Sequence, residues 1–432
     1  MSSILTNNAA TTALATLRNI NSQLAETQNQ ISTGKAVSGA RDNAAVWAIS
    51  KTMRADIAGF QNVSNSLMLG QSTMAVARQG AETITELLTD IKGKIVSAQE
   101  GNVDREKIQN NIKALKEQIE GITGSAAFNG QNMLQNNGTD AGSGTISVLA
   151  SIDRSGSGVS SSDMTFNRRD MGTGAQSIAA TGGTFAAAAA TGTVNATQSA
   201  TIDLSAVTVE AGAAFSLSVY GTDGNNSAFD QASYRTTAGA NETQAEMATS
   251  ALSYVARDGD TMADVAKALT RAWDNYSTEN NLDPSVLNIE ASGRSLKISS
   301  TVTDGTDSIA VNVNKLGADA ANTIGGGLQT LGDIDVTTNA GASKALSQIE
   351  GLINYAIDAA AGFGSDQGRI DTQSDFVSKI SATLRDGVGK LEDADMEDTS
   401  ARLQALQVQQ QLAVQALSIA NSQPQQLLAL FR

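Results

Sequence analysis

Two interleaved rows of mostly apolar residues, spaced by seven, run through residues 46–98. One row is Val46, Met53, Phe60, Leu67, Met74, Ala81, Leu88 and Ile95. The other is Ile49, Asp56, Val63, Gly70, Ala77, Ile84, Ile91 and Ala98, broken only at Asp56 and Gly70. An a/d pattern kept over this many heptads commits the segment to one long helix whose seam other helices must cover. At 1.5 Å per residue that helix is roughly 80 Å long. Shorter seams flank it. Ile108, Ile112, Leu115, Ile119 and Ile122 follow, and Leu17, Leu24 and Ile31 precede it with Ala13 and Ile20 between them.

The C-terminal end has the same style. Ala342, Leu346, Ile349, Ile353, Ala356 and Ala360 form a stripe at helical spacing, continued by Val377, Ile380, Leu384 and Leu391. A last helix is expected over about 396–421, with Ala405, Leu412 and Ile419 on one line and Leu406, Ala413 and Ala420 on the next. So wide a stripe predicts more than one neighbour for this helix.

Between the two ends the sequence changes character. "TISVLASIDRS" (145–155), "FSLSVYGTDG" (215–224) and "VLNIEASGRSLKISSTV" (286–302) alternate like strands, the last with a hairpin turn at Ser292-Gly293. "DTMADVAKALTRAWDNY" (260–276) reads as an amphipathic helix capped by Asp260 or Thr261. The low-complexity stretch 179–200 is expected to be irregular. Seams at opposite ends of a chain need each other, so the expected fold is α+β and elongated. The paired N- and C-terminal segments make a long antiparallel, coiled-coil-like helical bundle carrying an inserted β-rich outer domain. The expected boundaries are 1–40 with 393–432, then 41–170 with 333–392 including a β-hairpin, then a β-rich insert with one helix at 171–332. Aromatics at 4% favour such long, thin packing over one large core.

The chemistry available is narrow. There is no histidine and no cysteine, which excludes imidazole catalysis, thiol chemistry and His-ligated zinc. A net charge of −15 argues against nucleic acid and anionic lipid as partners. No run approaches the length of a membrane span, and "MSSILTNNAATTALATLRNI" lacks the features of a cleaved export signal. "STGKAVSG" (32–39) lacks the loop glycine and the Ser/Thr of a P-loop, and "MGTGAQ" (171–176) is only a fragment of a dinucleotide fingerprint. Both read as hinges or turns. "DGNNSAFD" (223–230) departs from a calcium loop after three residues and reads as a polar turn. "EDADMED" (392–398) places carboxylates at the start of the last helix, where they cap it. Trp47 and Trp273 read as packing residues. No catalytic, cofactor or metal site is expected.

The ends resemble bacterial flagellin. The family's L-S-[ST]-G-x-R-I-N-S-A-x-D-D-A-A-G-x-x-I is matched here from Ile31 to Ile49, through Gly34, Ala40, Asp42, Ala44 and Ala45. Its T-x-F-N-G is matched at Phe128, Asn129 and Gly130, and its R-I-x-D-A-D at Asp393 and Asp395. Its closing motif is matched by Ala420 to Leu430, with Asn421 and Pro424 in place. The resemblance covers about 1–135 and 333–432. It implies a filament subunit that self-assembles for swimming motility and is exported unfolded by the flagellar type III apparatus. It places the chain outside the cell, with residues 1–40 and 393–432 in the filament core and the insert facing outward. Implied partners are other flagellin copies, the hook-associated junction and cap proteins and a secretion chaperone. The core interface expected from it uses Leu17, Leu24, Ile31, Leu412, Ile419, Leu427, Leu428 and Leu430. Junction proteins share the terminal motifs, but the intact "PQQLLAL" and Asp-Ala-Asp favour the filament. A displayed zinc protease would need histidine, and an adhesin built on the insert stays open.

The sequence also departs from the family. Ala36, Asn43 and Val46 replace its usual Arg, Asp and Gly in the stretch that resembles the peptide read by plant receptors. The stretch matching the vertebrate innate-receptor epitope is Thr89-Asp90-Ile91-Lys92, with Asp90 in place of an arginine. Reversed charge at such a contact predicts weak recognition. The tail "SQPQQLLALFR" is too short to span a membrane and lacks a basic polar face, so its leucines are expected to be covered by protein.

Overall fold

The computed structural model describes residues 7–155, 158–222, 234, 236–237, 239–303 and 305–430, excepting the side chains of 155 and 423–430. In chain order the helices are α1 (Asn8–Thr33), α2 (Ala44–Ala98), α3 (Arg105–Ser125), α4 (Gln244–Thr249), α5 (Met262–Glu279), α6 (Asn339–Glu392) and α7 (Met396–Leu430). The strands are β1 (Ala127–Phe128), β2 (Gln131–Asn132), β3 (Thr145–Ser155), β4 (Gly158–Asn167), β5 (Phe185–Val194), β6 (Ser199–Asp203), β7 (Ala214–Thr222), β8 (Ser253–Val255), β9 (Asn288–Ser292), β10 (Ser295–Ser299) and β11 (Ser308–Leu316). The chain divides into two compact units. The first holds residues 1–65, 151–160 and 374–432, and the second 66–150 and 161–373.

In the second unit the long seam behaves as its spacing demands. Leu67, Met74, Ala81, Leu88 and Ile95 are buried, as are Val63 at the end of the first unit and Ala77, Ile84, Ile91 and Ala98. Ile112 and Ile119 of α3 and Ile349, Ala356 and Phe363 of α6 are buried too. The two breaks in the seam have a common cause. An added Cβ at Gly70 would lie 2.8 Å from Val148 of β3, so the missing side chain lets the strand close on the helix. Asp56, in the first unit, pairs with Arg154 of the same strand at 2.7 Å. A heptad reading looks only for helical partners and cannot see that a strand takes two of the positions.

The insert has its own core. The sheet β5-β11-β7-β8 and the sheet β6-β10-β9 are antiparallel throughout. Phe215, Leu217 and Val219 of β7 and Ile309, Val311 and Val313 of β11 turn inward on one face. They meet Ile289, Leu296 and Ile298 and the apolar stripe of α5, which ends at the fully buried Trp273. Thr261 opens α5 with a capping box to Asp264, and β9 turns into β10 at Gly293, as the sequence suggests. Trp273 is a packing residue.

Three expectations are corrected. The stretch 179–200 is not irregular: it contains β5 and the start of β6. Its alanines have little strand propensity, but pairing with the apolar β11 overrides propensity. The insert has a second, short helix, α4, opened by a capping box at Thr243 and Glu246 that lies outside any apolar periodicity. The last helix does not stop near 421 but runs through Pro424 to Leu430. "DGNNSAFD" lies outside the described residues.

"MGTGAQ" is the neck of the insert. Gly326 N–H donates to Gly174 O at 2.8 Å and Leu328 N–H to Gly172 O at 2.9 Å, so the two linkers run side by side. A Cβ on Gly326 would sit 1.9 Å from Gly172 O, which is why glycine occupies that position. The buried Arg257 fastens the neck. It donates to Gly325 O at 2.6 Å and to the Tyr254 hydroxyl at 2.7 Å, and its Nε lies 3.4 Å from Asp170 Oδ2.

Candidate assembly interface

Within the first unit, α1 and α7 lie against each other in opposite directions. Asn7 reaches Ala420, and Gln410 Nε2 donates to Asn21 Oδ1 at 2.8 Å. Ala13, Leu17, Ile20, Leu24 and Ile31 are all half-buried along α1, so the spacing found in the sequence is the seam. Its only buried residue is Thr27, whose hydroxyl is satisfied by Gln23 O at 2.8 Å.

On α7 the two apolar lines part company. Leu406 and Ala420 are buried, and Leu403, Ala413 and Leu417 are half-buried. Leu412 and Ile419 stay 58% and 64% exposed, in the company of Val408 and Val414. Periodicity gave both lines; only the structure tells which is covered. Between the helices runs an open groove walled by Thr12, Ala13, Thr16 and Ile20 on one side and by Leu412, Ala413 and Ala416 on the other. The side chains of Pro424, Leu427, Leu428 and Leu430 lie outside the described residues.

The helix can pass Pro424 because α1 supplies what proline lacks. A proline has no N–H, so the carbonyl four residues back loses its helical partner. That carbonyl is Ala420 O, and Asn7 Nδ2 donates to it at 2.8 Å. Asn7 Oδ1 meanwhile caps α1 by accepting from Ala10 N–H at 3.0 Å. One amide therefore serves the start of α1 and the turn of α7 before Pro424. Asn421 is exposed one residue beyond.

The family-motif residues gather where α1 and α7 begin and end. Gly34 closes α1 in the left-handed region, φ 70°. The next residues pair with the α6–α7 connection: Ala36 N–H donates to Glu392 O at 2.7 Å and Ala394 N–H to Gly34 O at 3.0 Å, with Lys35 opposite Asp393. Asp42 accepts from the N–H groups of Ser38 and Gly39, both at 2.9 Å, and these bonds hold its carboxyl below the usual range. Ala40, Ala44 and Ala45 are exposed around this turn and the start of α2. Asp395 caps α7 by accepting from Glu397 N–H at 3.0 Å. Of the acidic run, then, Asp395 is the cap. Glu392 does something the sequence did not suggest. Its side chain is 4% exposed and is gripped by Arg54 at 2.5 Å and Lys35 at 2.9 Å. The Arg54 hydrogen bonds lead in lowering its carboxyl to about 2. Residues 35, 54 and 392 share no local pattern, so no spacing could reveal the triad.

The other expected positions lie in the second unit. Phe128 is half-buried beside the tight turn Asn129-Gly130, which joins β1 to β2 with φ 49° and 77°. Thr89 and Asp90 are exposed on α2, and Lys92 pairs with Glu350 at 2.5 Å. Among the described residues no group of acidic, histidine or cysteine side chains gathers in a way that could hold a metal ion, and no helix is long and apolar enough to cross a membrane.

Known proteins match at both ends and along the whole length. Residues 4–139 match the bacterial flagellin N-terminal helical region and residues 346–431 the bacterial flagellin C-terminal helical region. Flagellin A of Rhizobium meliloti is 37% identical over 440 residues, covering 100% of both chains. A flagellin of Brucella melitensis biotype 1 is 28% identical over 433 residues with the same coverage. Among solved structures, Xanthomonas campestris FlgL overlaps 79% of this chain and 99% of its own at TM-score 0.33 and 12% identity, too distant to bear on fold or function. The chain belongs to the bacterial flagellin family, of the alphaproteobacterial type, whose members are structural proteins of the flagellar filament and not enzymes.

Proposed function

We propose that this chain polymerises head to tail with its own copies into the extracellular filament that drives swimming. The observation that carries this reading is the exposed line of α7, where Leu412 and Ile419 stand largely in solvent beside the line Leu406, Ala413 and Ala420 that already packs on α1. Apolar side chains on two sides of one helix call for two neighbours, and a non-closing contact of that kind propagates as a helical polymer. The α1–α7 pair, residues 1–40 with 393–432, forms the coiled-coil-like filament core. Residues 41–170 with 333–392 form the next helical layer, and 171–332 face outward. Core contacts use Leu17, Leu24, Ile31, Leu412, Ile419, Leu427, Leu428 and Leu430.

Export is unfolded, through the flagellar type III apparatus, with a secretion chaperone covering the apolar tail. At its ends the filament meets the hook-associated junction and cap proteins, and other flagellins can share the lattice. Asp90 on the exposed face of α2 makes the chain a weak ligand for innate receptors. Replacing Leu427, Leu428 and Leu430 together by Ser and imaging the purified chain under polymerising conditions tests the core assignment. No filaments and an unchanged insert are expected; filaments of normal length would refute it.

A further inference from the structure

The sheet β5-β11-β7-β8 carries a second buried face. Opposite the apolar side chains of β7 and β11 lie Ser216, Ser218, Asn312 and Asn314, all buried, and over them sits a carboxylate. Glu242 is 2% exposed. Its Oε2 accepts from the Ser216 hydroxyl and, at 2.7 Å, from Asn314 Nδ2. These donors are all neutral. Burial pushes the Glu242 carboxyl above the usual range. Asn314 is held on every side. Its Nδ2 lies 3.2 Å from both the Ser216 and the Ser218 hydroxyl, and its Oδ1 accepts from Ala188 N–H at 3.1 Å. Ala188 has φ 53°, a strained setting for a residue with a Cβ, at the irregularity where β5 slips against β11.

A hydroxyl, a carboxamide, a carboxylate within reach of both and an N–H on the carboxamide oxygen make a complete acyl-transfer set. Ser216 and Asn314 are also direct register partners on neighbouring strands. Side chains so placed have Cβ atoms about 4.5–5.5 Å apart, and a small approach of the strands lets a Cβ–O–C–Cβ link close the gap.

We propose that Ser216 and Asn314 join in an autocatalytic ester bond, with Glu242 carrying the proton. The terminal torsion of asparagine is soft, so the carboxamide can turn its face to the hydroxyl. Ser216 Oγ attacks Cγ of Asn314 while Glu242 takes the hydroxyl proton. The negative charge that develops on Oδ1 meets the Ala188 N–H. Glu242 then delivers the proton to Nδ2, the C–N bond breaks, and ammonia leaves. The products are the ester and one ammonia; Glu242 ends as it began, and nothing is oxidised or reduced. A carboxyl whose affinity for protons is raised by burial suits both halves of this transfer. Burial keeps water from the ester once formed. The chain has no cysteine, so this link would be the covalent staple that a disulfide cannot provide. It forms only after folding brings residues 216 and 314 together, and it does not depend on whether the chain polymerises.

The test is the intact mass of the purified full-length chain. A deficit of about 17 Da, one ammonia, is expected, together with a linked peptide joining the Ser216 and Asn314 fragments after digestion. Asn129-Gly130 and Asn137-Gly138 can lose ammonia by cyclising, so location matters. In Ser216→Ala, checked for native circular dichroism, the deficit is expected to vanish, and in Glu242→Gln the linked peptide is expected to be lost. A wild-type chain at its full sequence mass after folding at neutral pH overturns the proposal. So does a deficit that survives Ser216→Ala and maps to the Asn314 fragment, or a link that still forms without the Glu242 carboxylate.

Discussion

The α1–α7 pair and the insert are built from similar proportions of apolar side chain and finish in different states. The insert closes a core that includes Trp273 from two sheets and a helix, and among its described residues no large apolar side chain is left exposed. The pair has a seam of half-buried residues, one buried threonine on α1, Leu406 and Ala420 buried on α7, and a line of exposed Val and Leu/Ile on α7. A fully buried Leu, Ile or Val contributes roughly 1.5–3 kcal/mol, and most of the pair's apolar side chains collect only part of it. The difference teaches that the insert buries its apolar side chains within its own sequence, while the terminal helices leave a line of theirs open, as the proposed polymer requires. Marginal ends are what a chain needs if its interface is to form only in the polymer.

The comparison breaks most visibly in the insert. Trp273→Ala should cost about 3–5 kcal/mol and unfold the insert on mild heating, followed by near-ultraviolet circular dichroism. Helicity from α1 and α7 should persist. Loss of both together would show that the two regions are not independently finished.

Next comes the junction at Glu392. Glu392→Gln leaves Arg54 and Lys35 without their carboxylate and should cost about 1–3 kcal/mol, read as faster amide exchange at Ala36 and Ala394. The two buried carboxylates also respond to acid in opposite senses. Glu392 is held by cations with its pKa lowered to about 2, so its contribution is complete above the ordinary glutamate range and fades as pH falls from about 4.5 toward 2. Glu242 has its pKa raised by burial, so its contribution is complete at low pH and falls as pH rises past the ordinary value. Acid titration followed by hydrogen exchange should therefore open the Gly34–Ala394 connection before the β7–β11 pairing. The reverse order would contradict the assignment.

Asn7→Ala removes both the α1 cap and the bond to Ala420 O, with an expected cost of about 0.5–2 kcal/mol felt at the start of α1 and at the turn of α7 before Pro424. Adding Pro424→Ala should recover the α7 part, because alanine restores the N–H that Asn7 replaces. The smallest effect is the most telling. Leu412→Ser with Ile419→Ser should change the melting of the monomer by no more than about 0.5 kcal/mol, since both residues are exposed, yet should prevent filament growth.

Much of the fold was legible because long periodic patterns average over local ambiguity. The α2 seam, the bounds of β3, the Gly293 turn and the α1 stripe of Leu17, Leu24 and Ile31 all came from spacing. What spacing could not give was partnership. It did not separate the Leu406–Ala420 line from the Leu412–Ile419 line, because both have helical period. It missed β5, whose alanines become strand only beside β11. It missed the Lys35–Arg54–Glu392 triad and the Arg257 neck, where residues far apart in sequence meet through charge and backbone carbonyls. The glycines of "MGTGAQ" read as a hinge or turn, but spacing could not show that they are the place where two linkers touch.

The most direct measurement is amide hydrogen exchange on the same full-length chain, first as monomer and then as filament. Amides of α1 and α7 should exchange rapidly in the monomer and become protected by at least a hundredfold on polymerisation, while those of β7, β11 and α5 stay unchanged. Terminal helices already as protected in the monomer as the insert core would contradict the claim that neighbouring copies complete them.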